Sequence, residues 1–192
     1  ITCNGRPTFV KRRLQKGDVL AARVVDREKA TLTPRSVPFS IVYEDEDLFI
    51  VDKPAGLLVH PTSPKHQHTL AHGIAEHYRL RGIEARVRPV HRLDRETSGL
   101  LAFARTAFAH QHLDRQLREG EVDREYLAIV EGRVEDDEGE IDAPIGRPDP
   151  RSTARAVLEG GRPARTRYAV VDRFGSGALL RVTLETGRTH QI

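Results

Sequence analysis

His91-Arg92-Leu93-Asp94-Arg95-Glu96-Thr97-Ser98-Gly99, followed by the apolar run Leu100 to Ala104, decides more about this chain than any other stretch. One carboxylate, Asp94, stands between Arg92 and Arg95, just ahead of a turn-forming Thr97-Ser98-Gly99. Positive neighbours favour the charged form of a carboxylate. An ionised carboxylate on a basic loop can act as nucleophile or base toward a polyanion. An ordinary surface pair of Asp and Arg has the same composition, so the run alone leaves both readings open. Arg92 precedes Asp94 by two positions, and on extended backbone their side chains point to the same side.

The run resembles the catalytic motif of the RluA-type pseudouridine synthases, His-Arg-Leu-Asp-x-x-Thr-Ser-Gly-Leu-Leu, enzymes that isomerise uridine to pseudouridine in RNA. Four further segments, in the same order, resemble that family. Residues 43–61, with Asp52-Lys53-Pro54-Ala55-Gly56, are similar to its opening strand and Lys-Pro-x-Gly turn. Residues 124–132, Arg-Glu-Tyr-Leu-Ala-Ile-Val-Glu-Gly, resemble the segment carrying its active-site tyrosine, here Tyr126. Gly161 to Tyr168 resembles a later Gly-Lys-x-Ala-x-Thr-x-Tyr stretch, and Glu185 to Ile192 its closing Thr-Gly-Arg-Thr-His-Gln-Ile-Arg.

What the resemblance implies can be stated residue by residue. Asp94 is the catalytic carboxylate, and Tyr126 supports the target base and can take part in proton transfer. Arg92 either enters the helix space left by a flipped base or holds the neighbouring phosphate, with a structural salt bridge as the plain alternative. Arg188 binds backbone phosphate or braces its loop, and Ile192 contributes to an apolar wall under the uracil. In the family an arginine follows Gln-Ile and pairs with the aspartate, whereas this sequence stops at Ile192. It also begins at Ile1 and contains no methionine, so a portion of a longer protein is expected, with a catalytic domain incomplete at its C-terminus.

The chemistry agrees with the residues present. Uridine isomerisation breaks a bond from base nitrogen to the anomeric carbon and remakes it from a ring carbon, with no net oxidation. It requires a carboxylate beside the ribose, to attack the sugar carbon or deprotonate it. No cofactor is needed, and the sequence has neither a phosphate loop nor a dinucleotide fingerprint. A base must leave its stack to be reached, and an aromatic platform offsets part of that cost. No metal is expected either: His66, His68, His72 and His77 lie close together, with His68 and His72 expected on one helix face, but no acid or cysteine stands at ligand spacing. His91 is expected to serve the structure of its loop.

Charge is unevenly spread despite a net value of only +3. Residues 79–95 carry Arg79, Arg81, Arg86, Arg88, Arg92 and Arg95 against Glu84 and Asp94, while acids gather at residues 44–47 and 135–140. Such segregation is the footprint of a nucleic-acid-binding face. The single cysteine, Cys3, excludes an internal disulfide framework. No apolar run approaches the ~18 residues of a membrane span, and no secretory leader is expected. A cytoplasmic, RNA-binding protein is therefore expected, with a monomer as the default; a likeness of residues 1–30 to an alpha-L RNA-binding module favours large-subunit ribosomal RNA over transfer RNA. An inactive RNA-binding fragment is the competing reading.

Residues 1–30, with an Asn4-Gly5 turn and a strand over Val19 to Val25, are similar to the tail of an alpha-L RNA-binding module; a plain N-terminal hairpin is the alternative. Residues 31–38, with two prolines, read as a linker, and 39–192 as the catalytic domain. Within it, strands are expected at Ile41 to Tyr43, Leu48 to Asp52, Leu100 to Ala104, Tyr126 to Glu131, Thr166 to Val171 and Leu179 to Leu184. Helices are expected from a Thr69 cap to about Leu80 and from a Thr106 cap to Gly120, the second with Ala109, Leu113 and Leu117 on its buried face. Strands without regular helical crossovers argue for an α+β fold. The resemblance implies a mixed, largely antiparallel sheet flanked by helices around a central RNA-binding cleft.

Overall fold

An Asn-Gly pair between short extended segments sets up a tight hairpin, and the chain opens with one. In the computed structural model, which describes residues 1–22, 32–149 and 151–192, β1 (Thr2–Cys3) pairs with β2 (Arg6–Pro7) and with β3 (Leu20–Ala21). The Asn4 side chain ties this small sheet together, donating to Asp18 and accepting from the Val19 amide. The strand expected over Val19 to Val25 is confined to Leu20–Ala21 among the described residues; from residue 23 the expectation lies outside them.

The next layer follows from alternation. β4 (Ser40–Glu44), β5 (Leu48–Lys53), β6 (Arg88–Pro89) and β7 (Gly99–Ala104) form a sheet in the order β4-β5-β7-β6. Phe49 and Val51 on β5 and Leu101 and Phe103 on β7 turn to the same face and are wholly buried. Helix α1 (Leu70–Leu80) covers that face with Leu70, Ile74 and Tyr78. Thr69 stands at its N-cap, but its hydroxyl engages His72 Nδ1 at 2.8 Å rather than the helix amides. The amides of Leu70 and Ala71 instead donate to Leu58 and Val59 carbonyls. Helix α2 (Ala107–Glu119) is capped as expected: Thr106 accepts from the Ala109 amide, and Gly120 ends the helix in a left-handed conformation. Ala109 is buried, with Leu113 and Leu117 half-buried beside it.

A second antiparallel sheet contains β8 (Glu125–Glu131), β9 (Glu138–Asp142), β12 (Arg165–Phe174) and β13 (Gly177–Leu184), in the order β8-β13-β12-β9. A small hairpin of β10 (Ile145–Gly146) and β11 (Ala156–Val157) projects between β9 and β12 in sequence. The inner face of this sheet carries Ala178, Leu180, Val182 and Leu184, flanked by Ala128, Val130 and Tyr168.

The α+β expectation matches this architecture, with one refinement: eight strands form two four-stranded sheets, beside the small β2-β1-β3 and β10-β11 sheets, and every strand pairing among the described residues is antiparallel. β9 had no apolar alternation to announce it. It is an acidic edge strand whose Glu140 and Asp142 face Arg167 and Arg165 of β12, so charge pairing replaces burial there.

Candidate active site

The loop carrying Asp94 is fixed from two sides. Leu93 enters the first core and is only 6% exposed, packed in the cluster that holds Phe49, Leu101 and Phe103. With Leu93 turned inward, Arg92 is exposed and Asp94 half-buried on the other side of the backbone. The second anchor is Lys53. It occupies the buried rail of β5 after Phe49 and Val51, with 0% exposure. Its Nζ donates to the carbonyls of Pro54, Leu57 and Arg95 at 2.9, 2.8 and 3.0 Å. One ammonium thus joins the Lys-Pro-Ala-Gly turn to the residue after Asp94. Burial pushes the Lys53 pKa down, and the nearby Glu96 and Asp94 charges oppose the shift.

Sequence adjacency did not become pairing. Among the described residues no ion pair joins Asp94 to Arg92 or Arg95. Arg95 Nε donates to the Gly56 carbonyl at 3.1 Å and lies 3.5 Å from Glu96. The charge of Arg92 bears on His60, whose pKa is lowered by burial first and by Arg92 second.

Tyr126 sits where the two cores meet, half-buried and packed against both. Burial raises its phenol pKa, Arg124 opposes that, and the Asp94 charge adds to it. Asp94 and Tyr126, distant in sequence, are therefore electrostatic neighbours. A phenol shifted upward keeps its proton at neutral pH, so it can donate a hydrogen bond or stack.

Arg124 was not singled out by the sequence reading, yet it organises this junction. Its guanidinium donates to the Leu184 carbonyl at 3.2 Å, and its Nε is buried without a partner. Its charge reaches both Tyr126 and His91. A Cβ at position 187 would fall 2.5 Å from an Arg124 terminal nitrogen, so Gly187 in the Thr-Gly-Arg turn makes room for the guanidinium. His91 accepts from the Ala102 amide through Nε2 at 3.3 Å, which leaves the proton on a buried, unpartnered Nδ1.

The closing segment is held by Gln191. Its amide donates to the Arg165 carbonyl and the Thr166 hydroxyl, and its Oε1 accepts from Thr186 and from the Arg188 amide. Arg188 Nε donates to the Pro163 carbonyl at 2.8 Å, so part of its guanidinium braces the loop. Ile192 is 53% exposed and belongs to neither core. No hydrogen bond or ion pair among the described residues links Arg188 or Ile192 to Asp94 or Tyr126.

The histidines serve separate purposes. α1 begins at Leu70, so His68 lies before the helix and shares no helical face with His72, contrary to expectation. His77 stacks on Phe49, with ring centroids 5.2 Å apart, and faces Glu44. Among the described residues no three His, Cys, Asp or Glu side chains converge as a ligand set.

Residues 47–192 match the family model described as RNA pseudouridylate synthase. The chain is 46% identical over 157 residues to ribosomal large subunit pseudouridine synthase D of Nitrosomonas europaea, covering 82% of this chain and 45% of that protein. It is 38% identical over 195 residues to an RNA pseudouridine synthase of Bacillus subtilis, covering 100% of this chain and 64% of that one. Among solved structures, human RNA pseudouridylate synthase domain containing 1 superposes with a TM-score of 0.65 at 26% identity, over 83% of this chain and 65% of the human one. The chain thus spans between about half and two thirds of the length of the relatives it matches.

Proposed function

We propose, from the premise that this chain belongs to the RNA pseudouridylate synthase family, that it forms the Asp- and Tyr-bearing part of an enzyme that isomerises specific uridines in structured RNA. The observation that supports the reading is that Leu93, beside Asp94, and Tyr126, on β8, pack on the same core cluster, which brings the Asp94 loop to the strand bearing Tyr126. Asp94 acts on the ribose of the target nucleotide while the bond from base nitrogen to the anomeric carbon breaks. The base turns, and the bond reforms from a ring carbon, whose proton is exchanged for one on the freed nitrogen. Atoms and electrons balance without a cofactor. Tyr126, proton-bearing at neutral pH, supports the extruded base by stacking and can donate to it. Arg92, exposed beside Asp94, holds the phosphate or fills the space that the base leaves. Arg188 adds a cation next to its bracing contact, and Ile192 an apolar surface for the ring.

Large-subunit ribosomal RNA is the favoured substrate, because the Nitrosomonas relative is named for that particle. The small N-terminal sheet, with exposed Lys11, Arg12 and Arg13, is proposed to add contacts to the same RNA. Quantification of pseudouridine in large-subunit ribosomal and transfer RNA after incubation tests the proposal. The 192-residue chain is run beside a version extended by its native downstream sequence. Conversion in ribosomal RNA is expected, and Asp94→Asn should lower it by on the order of a thousandfold or more without loss of RNA binding. Conversion that survives Asp94→Asn would remove Asp94 from the chemistry. RNA binding with no conversion by either form would leave an RNA-binding protein.

A further inference from the structure

A cavity of about 290 Å³ lies between residues 32–35 and 61–67. Its lining includes Arg35, Thr33, Ser63, His66, Gln67 and His72 and, among the described residues, no acidic one. The segment expected to be a linker is docked at this place. The Arg35 amide donates to the His72 carbonyl at 3.2 Å, and a Cβ at Gly73 would fall 2.9 Å from the Val37 carbonyl oxygen. The Arg35 guanidinium donates from one terminal nitrogen to Gln67 Oε1 at 2.8 Å. Its Nε is buried with no hydrogen-bond partner, and among the described residues no carboxylate pairs with it. The Arg35 guanidinium thus lines a cavity that carries no carboxylate among the described residues, with one terminal nitrogen engaged by Gln67 and the other able to donate to an anion.

The other polar groups are arranged as donors or as neutral walls. The His72 ring is only 6% exposed and is fixed through Nδ1 by the Thr69 hydroxyl. His66 Nδ1 is engaged by Thr62 at 3.0 Å. Ser63 and Thr33 offer hydroxyls, while Leu32, Pro61 and Pro64 supply flat apolar surface. The space exceeds that of a bare oxyanion and admits a phosphate with its attached sugar. Pro61, in the lining, directly follows His60, whose pKa is lowered by burial first and by the Arg92 charge second.

We propose that this cavity seats a phosphodiester of the bound RNA strand, with Arg35 as its cationic anchor. The inference rests on the RNA reading above, and it assigns a phosphate contact to the segment that precedes the catalytic domain.

The test compares the intact 192-residue chain with Arg35→Gln, Arg35→Lys and Ser63→Asp. Affinity for deproteinised large-subunit ribosomal RNA is measured by filter retention across a potassium chloride series. Removing one phosphate contact should flatten the slope of log affinity against log salt by roughly 0.7–1 unit. That flattening is expected for Arg35→Gln, and Arg35→Lys should keep the parental slope. Ser63→Asp leaves Arg35 in place and puts a negative charge in the cavity, so it should weaken binding even if Arg35→Gln folds poorly. In a second arm inorganic phosphate is titrated while the melting temperature is followed; it should raise the parental value and leave Arg35→Gln unmoved. Parental slopes for Arg35→Gln and Ser63→Asp, with RNA still bound by the parent, would overturn this inference alone. A phosphate-dependent melting shift without any change in RNA slope would make the cavity a free-anion site and would also overturn it. A parent that binds no RNA would overturn the functional reading along with it.

Discussion

The sheet of β4 to β7 and the sheet of β8, β9, β12 and β13 have equal numbers of strands, yet they bury their side chains to different depths. Phe49, Val51, Leu101 and Phe103 are at 0% exposure beneath α1, whereas Leu180, Val182 and Leu184 retain 8, 4 and 9%. On the opposite face of the second sheet, Leu127 and Ile129 of the edge strand β8 are 68 and 77% exposed. The first sheet is thus the more deeply packed frame, and it holds the Asp94 loop through Leu93 and Lys53. The second delivers Tyr126 to that frame from an edge strand. On the proposed reading, the placement of Asp94 against Tyr126 depends on the seam between a tightly packed half and a more loosely packed one.

The largest effect should come from cutting into the frame. Phe103→Ala is expected to cost about 3–5 kcal/mol in urea unfolding, since a large ring is removed where the surroundings cannot collapse. Leu180→Ala should fall toward the lower end of the about 2–5 kcal/mol seen for buried leucines. Equal losses at the two sites would abolish the proposed difference in packing.

Next comes Lys53→Met, which fits the apolar rail but strands three carbonyls, at about 1–3 kcal/mol for buried groups left unpaired. The loop carrying Asp94 loses its tether to the Lys-Pro turn. Turnover should therefore fall by up to about a hundredfold while KM changes little. Loss of affinity with unchanged turnover would show that Lys53 does not position Asp94.

Much of the frame was legible in the sequence because its signals are local. The apolar run Leu100 to Ala104 marked β7, Thr106 and Gly120 bounded α2, and the spacing of Arg92 and Asp94 by two put their side chains on the same side. Asp94 and Tyr126 were found through resemblance, since neither an aspartate between arginines nor a strand tyrosine is distinctive by itself. Lys53, Arg124 and Gln191 were missed as site residues because their roles exist only across long sequence separations. Lys53 meets Arg95 through a carbonyl, a partner that no side-chain pattern discloses. Arg124 meets Gly187 at the end of the β8–β13 pairing, and the one available signal was a glycine within Thr-Gly-Arg. The charged flanks of Asp94 misled in the other direction, because backbone carbonyls and solvent claimed the guanidinium groups that proximity seemed to assign to the carboxylate.

A pH series separates the two halves with a smaller effect. His60, His72 and His91 all belong to the first half, and burial lowers each below the usual histidine pKa of 6.5. The strands of the second sheet contain no histidine. As pH falls below 6.5, the unfolded chain takes up protons that the folded chain refuses, so stability falls until the folded values are passed. Hydrogen exchange at pH 7 and pH 5 should show protection lost first in β5, β7 and α1. His91→Gln should flatten the stability slope by removing one of the three titrations. Acid loosening that began in β12 and β13 would place the weak half elsewhere.

The smallest effect concerns the charges on the outside of the second sheet. Arg167 lies opposite Glu140 across β12 and β9, 3.0 Å away, and 2.5 Å from Glu185; Arg165 lies 2.6 Å from Asp142. These side chains are solvated, so each pair gains little over its hydrated ions and orders flexible chains in doing so. What they supply is register: they hold an acidic edge strand that has no apolar face to align it. Arg167→Gln should give a stability loss that is barely resolved at low salt and absent near 1 M salt, where the screening length is about 3 Å. A large loss that persisted at high salt would mean that charge supports the second sheet as firmly as burial supports the first. The looseness seen in its side chains would then be a matter of exposure alone, and Tyr126 would be presented to Asp94 from two equally rigid halves.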